Sequence, residues 1–155
     1  MTRTDSWSES DIPSQSGRTV LVTGANSGLG LHTARVLAAR GAMVLLACRS
    51  PERGKQALDT IAAGAATPPR LVELDLADLA SVRRAAAEVR EHTGDARDVL
   101  VNNAGVMAPP RETTRDGFEL QFGTNHLGHA ALTWLLVAAL RTRPGARIVT
   151  VSSLA

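Results

Sequence analysis

Thr23-Gly24-Ala25-Asn26-Ser27-Gly28-Leu29-Gly30 follows directly on the apolar run Thr19-Val20-Leu21-Val22. A short β-branched run that enters a glycine-rich turn and then opens a helix is built to hold a nucleotide. Glycine lets the backbone turn sharply and lets a pyrophosphate approach with no Cβ in the way. The helix that follows directs its unbonded N–H groups and the positive end of its dipole at the phosphates.

Outward from this turn, strand-like and helix-like patterns alternate. Residues 18–23 read as a first strand. Residues 28–40 read as a helix with Leu29, Val36 and Leu37 facing inward, closed by Gly41. The continuous apolar run 42–47 suits a strand covered on both faces. Residues 51–63 follow as a helix with Pro51 in its first turn. A third strand over 70–74 leads to Asp78, a candidate cap for a helix to about residue 92, with Leu79, Val82, Ala86 and Val89 at helical spacing. A fourth strand spans 98–101. Residues 113–141 read as mainly helical, with a break near Gly117 to Gly123, and 147–152 as a fifth strand. This alternation predicts an α/β fold with a doubly wound parallel sheet of about five strands, a Rossmann arrangement over 18–155. Residues 1–17 form a flexible lead-in.

The 155 residues suffice for one domain with a core, and 44% apolar with 21% charged residues is ordinary globular composition. A net charge of +2, with scattered arginines and a single lysine, offers no stripe for nucleic acid. The single cysteine, Cys48, fits a reducing compartment, and no signal peptide or transmembrane segment is evident; a cytoplasmic protein is expected.

In such sheets the ligand lies outside the carboxyl ends of the strands, near the point where strand order reverses. Gly24, Asn26, Ser27, Gly28, Leu29 and Gly30 are therefore candidate cofactor contacts. The second strand ends in Cys48-Arg49. An acid at this place would bind both ribose hydroxyls, whereas a cation pairs with a 2′-phosphate. Arg49 thus favours NADP(H), with NAD(H) left open, against the alternative of a solvated surface arginine. At the third strand end, Asp75 suits the adenine amino group and Leu76 the ring, although Asp75 equally suits a loop cap. The fourth strand ends in Asn102-Asn103-Ala104-Gly105, where Asn102, Ala104 and Gly105 bring backbone and small side chains to a ribose, and asparagine amides tie strand ends together. His126 and His129 have a spacing that two metal ligands could use, but no third ligand converges on them, so a structural role is expected. Trp134, Leu135, Leu136 and Leu140 are read as core or subunit interface.

The Thr-Gly-x-x-x-Gly-x-Gly spacing, joined to Asn-Asn-Ala-Gly, resembles the short-chain dehydrogenase/reductase family over residues 17–155. The lead-in Asp11-Ile12-Pro13 to Gly17-Arg18, with Ala47-Cys48-Arg49, is most similar to its retinol-dehydrogenase-like branch and bacterial relatives. Phe122-Gly123-Thr124-Asn125-His126-Leu127-Gly128-His129 looks like the segment carrying that family's catalytic asparagine, here Asn125. Ile148-Val149-Thr150-Val151-Ser152-Ser153 looks like the strand delivering its catalytic serine, assigned by position to Ser153, with Ser152 the alternative. The resemblance implies hydride transfer between NADP(H) and a small-molecule alcohol or carbonyl substrate, and leaves a homo-oligomeric full-length parent open.

The resemblance also implies a Tyr-x-x-x-Lys pair after the serine, the tyrosine acting on the carbonyl oxygen and the lysine lowering its pKa. The sequence has no tyrosine, and Lys55 lies in the wrong region. The expectation is the cofactor-binding part of a larger enzyme, truncated before that pair and inactive alone. The alternatives are a non-catalytic nucleotide-binding module and an incomplete fragment.

Overall fold

The computed structural model describes residues 7–93 and 98–153. β1 (Thr19–Thr23), β2 (Met43–Cys48), β3 (Arg70–Glu73), β4 (Val99–Asn102) and β5 (Arg147–Thr150) form one parallel sheet in the order β3-β2-β1-β4-β5. The chain steps outward from β1 to β3, then returns to the other side of β1 for β4. Strand order therefore reverses between β1 and β4.

Each central strand serves two cores because side chains alternate across a sheet. Val20, Val22, Val44 and Leu46 face α1 (Gly28–Ala39) and α2 (Pro51–Ala62). Leu21, Leu45, Val72 and Leu100 face α3 (Leu79–Thr93) and a long helix that ends in α5 (His129–Arg141). Burial of each large aliphatic side chain contributes roughly 1.5–3 kcal/mol. This explains why β1 and β2 read as unbroken apolar runs.

Local signals set the helix ends. Gly41 has φ 100°, and the Gly41 and Ala42 amides donate to the Ala38 and Leu37 carbonyls, a Schellman closure of α1. Ser50 accepts from the Arg53 amide beside Pro51 at the start of α2. Asp78 Oδ1 accepts from the Ala80 and Ser81 amides and caps α3. Before β1, the Gln15 amide donates to the Arg40 carbonyl, and Arg40 reaches back to the Glu9 carbonyl. Residues 1–6 of the expected lead-in lie outside the described residues.

Three expectations need correction. Residues 113–119 are not helical: Gly117 has φ 84°, and Thr113 and Glu119 form an antiparallel bridge. Glu119 then caps α4 (Leu120–Phe122) by accepting from the Gln121 and Phe122 amides. From α4 the helix continues through a π-helical stretch, Gly123–Gly128, into α5. Leu29 does not face inward but is 59% exposed, in the first turn of α1. For Trp134 the core half of the reading falls and the interface half stays open, since it is 79% exposed while Leu132, Leu136 and Leu140 supply the buried side of α5.

This division predicts opposite results for two neighbours. Leu136→Ala should lower stability by roughly 2–5 kcal/mol, because it leaves a cavity between α5 and the sheet. Trp134→Ala should change it by no more than about 0.5 kcal/mol. Urea unfolding of the two variants checks both values.

Candidate functional site

At the carboxyl ends of β1 to β4 lies a cleft of about 370 Å³. Gly24, Asn26, Ser27, Gly28, Leu29 and Gly30 line one side of it. Two of the glycines, Gly28 and Gly30, do different work. A Cβ on Gly30 would collide with the Asn103 amide and the Gly24 carbonyl, so Gly30 lets α1 pack against the strand ends. Gly28 has φ 51°, and a Cβ there would meet nothing within 4 Å, so its bare face opens to the cleft. Ser27, at the N-cap of α1, makes no side-chain cap bond. The first N–H groups of a twelve-residue helix are thus left for a ligand at the cleft wall.

Arg49 lines the same cleft and has no hydrogen-bond or ion-pair partner among the described residues. Cys48 beneath it is buried, and burial pushes its thiol up to about 11. Asp75 and Leu76 line the opposite wall. Asp75 Oδ1 accepts from the Ala77 amide at 2.9 Å and shapes the loop, as the loop reading expects. Ala104 and Gly105 complete the floor. Asn102 stands apart from these residues. It is buried, its amide donates to Thr133 Oγ1, and it lines a neighbouring cavity, while Asn103 takes the place in the cleft.

That second cavity, about 490 Å³, lies at the ends of β4 and β5. It brings together Asn125 and Ser153, the two candidate catalytic residues, with Ser152 beside them. β5 ends at Thr150, so both serines follow the strand and stand at the cavity wall. Asn125 is clasped in both directions to Val106: its Oδ1 accepts from the Val106 amide and its Nδ2 donates to the Val106 carbonyl, each at 2.8 Å.

Sequence reading missed the group that joins the two cavities. Thr23 is fully buried, and its Oγ1 accepts from the Asn103 amide at 2.9 Å and the Ala104 amide at 3.0 Å. The same oxygen lies 2.9 Å from His129 Nε2. His129 Nδ1 lies 2.9 Å from the Asn125 carbonyl, which can only accept. The proton is therefore on Nδ1, Nε2 is an acceptor, and the Thr23 hydroxyl donates to it. Burial holds the His129 imidazole below its ordinary pKa, against the opposing effect of the Asn125 carbonyl. Both ring nitrogens of His129 are used within the protein. The one available signal was a histidine on an otherwise apolar helix, where a polar ring needs buried partners.

A doubly wound sheet with a glycine turn at its point of reversal defines a nucleotide-binding α/β scaffold. A model of the family described as short chain dehydrogenase matches residues 18–155, and the chain belongs to that family, within its retinol-dehydrogenase-like branch. Retinol dehydrogenase 13 of Homo sapiens is 47% identical over 149 residues, which make up 96% of this chain and 44% of that protein. A crystal structure from Mycobacterium Paratuberculosis is 53% identical with a TM-score of 0.77, covering 86% of this chain and 46% of the other. L-Sorbose reductase from Gluconobacter frateurii, solved with NADPH and L-sorbose, is 27% identical with a TM-score of 0.76, covering 88% of this chain and 52% of the other. The chain thus spans about half the length of the relatives it matches. Among the described residues no helix is long and apolar enough to cross a membrane, and no cluster of three metal-ligating side chains occurs.

The His129 network has a pH signature. Its pKa is lower in the folded chain than its ordinary 6.5, so its contribution is complete above that value and is lost as pH falls through the folded pKa. Protonation would place an N–H against Thr23 Oγ1, which already accepts two amides. The melting temperature of the native chain should therefore fall more steeply on the acid side than that of a His129→Leu variant. Thermal unfolding scans of both proteins below pH 6.5 measure the difference.

Proposed function

We propose that the chain forms the cofactor-binding part of an oxidoreductase that uses NADP(H) to interconvert an alcohol and a carbonyl compound. Arg49 carries the choice of cofactor. It is a cation without a partner among the described residues, in the cleft that the glycine turn lines, at the end of the strand where the adenosine ribose is read. The fit of a dinucleotide rests on three features: the bare face of Gly28, the open first turn of α1, and a buried Thr124 hydroxyl without a partner among the described residues. Gly24, Asn26, Ser27, Leu29 and Gly30 would surround the pyrophosphate. Asp75 and Leu76 would meet the adenine, and Ala104 and Gly105 a ribose. When bound, NADP(H) supplies or takes up a hydride at its nicotinamide ring.

Asn125 and Ser153 then have separate tasks. The Ser153 hydroxyl, at the wall of the second cavity, donates a hydrogen bond to the substrate oxygen and fixes its direction. Asn125, locked to Val106 and to His129 through its own carbonyl, holds the helix wall opposite. The likeness to a retinol dehydrogenase and an L-sorbose reductase supports an alcohol or carbonyl substrate. An apolar one is favoured by the retinol-dehydrogenase relatives. A reducing cytosol suits the lone buried Cys48.

A second reading, a nucleotide-binding module without catalysis of its own, is favoured by one observation. The 155 residues contain no tyrosine, and their one lysine, Lys55, is exposed on α2. General acid–base catalysis contributes about 10²–10⁴-fold, and the histidine that lines the second cavity, His129, has both ring nitrogens engaged by Thr23 and Asn125.

Two measurements test these readings. Fluorescence titration should show tighter binding of NADPH than of NADH, and Arg49→Asp should reverse the order. The lost charge-assisted contact is worth roughly 1.5–3 kcal/mol. Equal affinities in the unsubstituted chain would refute the assignment. In the second, the 155-residue chain incubated with NADPH and retinal should show no loss of absorbance at the reduced-nicotinamide band. Turnover that Ser153→Ala abolishes would reveal a different proton donor.

A further inference from the structure

Two buried side-chain oxygens among the described residues lack a hydrogen-bond partner, Asn102 Oδ1 and Thr124 Oγ1. Thr124 is the informative one. It is 9% exposed and sits at the wall of the nucleotide cleft, on the π-helical stretch. A helical threonine ordinarily donates to the carbonyl one turn back. Here no such bond forms. A buried hydroxyl without a partner is unfavourable, and a side chain of the same shape without the oxygen would suit the ligand-free protein better. The neighbouring residue, Asn125, lines the other cavity. Consecutive positions of one helical stretch thus serve the two cavities separately.

We infer that the Thr124 hydroxyl is a recognition group for the adenosine half of the dinucleotide. The inference rests on the cofactor reading above. Position selects the adenosine half. The cleft that Thr124 lines is bounded by Arg49 at the end of β2 and by Leu74, Asp75 and Leu76 after β3. The nicotinamide end must instead reach toward Ser153, which lines the second cavity. Chemistry agrees with position. Adenosine carries ribose hydroxyls, ring nitrogens and an amino group, any of which completes a threonine hydroxyl. On the same wall, Asp75 Oδ1 is already committed to the Ala77 amide, and Leu74 and Leu76 bring no polar side chain. Asp75 Oδ2 remains for the adenine amino group, and Thr124 is the buried hydroxyl of this cleft without a partner among the described residues, which occupation of the cleft satisfies.

The test compares Thr124→Val and Thr124→Ser with the unsubstituted chain. Binding of NADPH and of 2′-phospho-ADP-ribose, which lacks nicotinamide, is measured by titration calorimetry. Ligand-free melting temperatures are recorded in parallel. Thr124→Val should weaken both ligands by about 3- to 10-fold while leaving the ligand-free melting temperature unchanged or higher. Thr124→Ser should retain most of the affinity. Unchanged affinity in Thr124→Val overturns the inference and leaves the cofactor reading intact. A loss seen with NADPH but not with 2′-phospho-ADP-ribose places the contact at the nicotinamide end and overturns it. So does a fall in ligand-free melting temperature, which would mean that the hydroxyl is satisfied inside the protein, or a Thr124→Ser affinity no better than that of Thr124→Val. Failure of the unsubstituted chain to bind either ligand overturns both the inference and the cofactor reading.

Discussion

One oxygen atom, Thr23 Oγ1, holds together the parts on which the site depends. β1 is buried on both faces, so its carboxyl end arrives in the interior with polar groups to satisfy. The Thr23 hydroxyl meets that need with two backbone amides from the segment after β4 and an imidazole from the long helix. Asn103 closes the same junction by donating its side-chain amide to the Thr23 carbonyl at 2.9 Å. The strand order reverses at this junction, where a parallel sheet leaves a gap for a ligand. Three elements distant in sequence are thereby fixed at the lip of that gap by neutral hydrogen bonds. In a buried setting each such group would be costly if left unpaired.

Much of this architecture was legible because the sheet is parallel and covered on both sides. Val20 to Val22 and Val44 to Leu46 face two cores alternately, so their strands carry no polar interruption and declare themselves in the sequence. Gly41, Pro51 and Asp78 marked helix ends through backbone chemistry that depends on nearest neighbours. The glycine turn and the small residues after β4 were likewise visible, because close backbone approach admits few residue types.

What was illegible has a common cause: it depends on contacts between distant parts of the chain. Periodicity alone could not show that Gly117 turns the chain and that the Thr113–Glu119 bridge delays the helix to Leu120. It could not place Leu29 at the cleft, since that depends on how α1 packs against the strand ends. Asn102 and Asn103 are identical in type and adjacent, and only the pleat decides that Asn103 faces the nucleotide cleft while Asn102 turns toward Thr133. His129 looked like an ordinary core histidine, and its partners lie 106 residues away at Thr23 and one helical turn back at Asn125.

The π-helical stretch constrains how this segment varies by insertion and deletion. A π turn contains one residue more than the α-helical hydrogen-bond pattern would require. Removing a residue between Gly123 and Gly128 would restore that pattern and rotate the preceding turn by about 100° relative to α5. Gln121 Oε1, which accepts from the Ala108 amide, and the Phe122 ring, which stacks on His126, would swing off these partners. Substitutions leave this phase intact, whereas single-residue length changes do not. Length is thus under tighter control here than in the surface loop between α2 and β3, where an added residue only lengthens a connection.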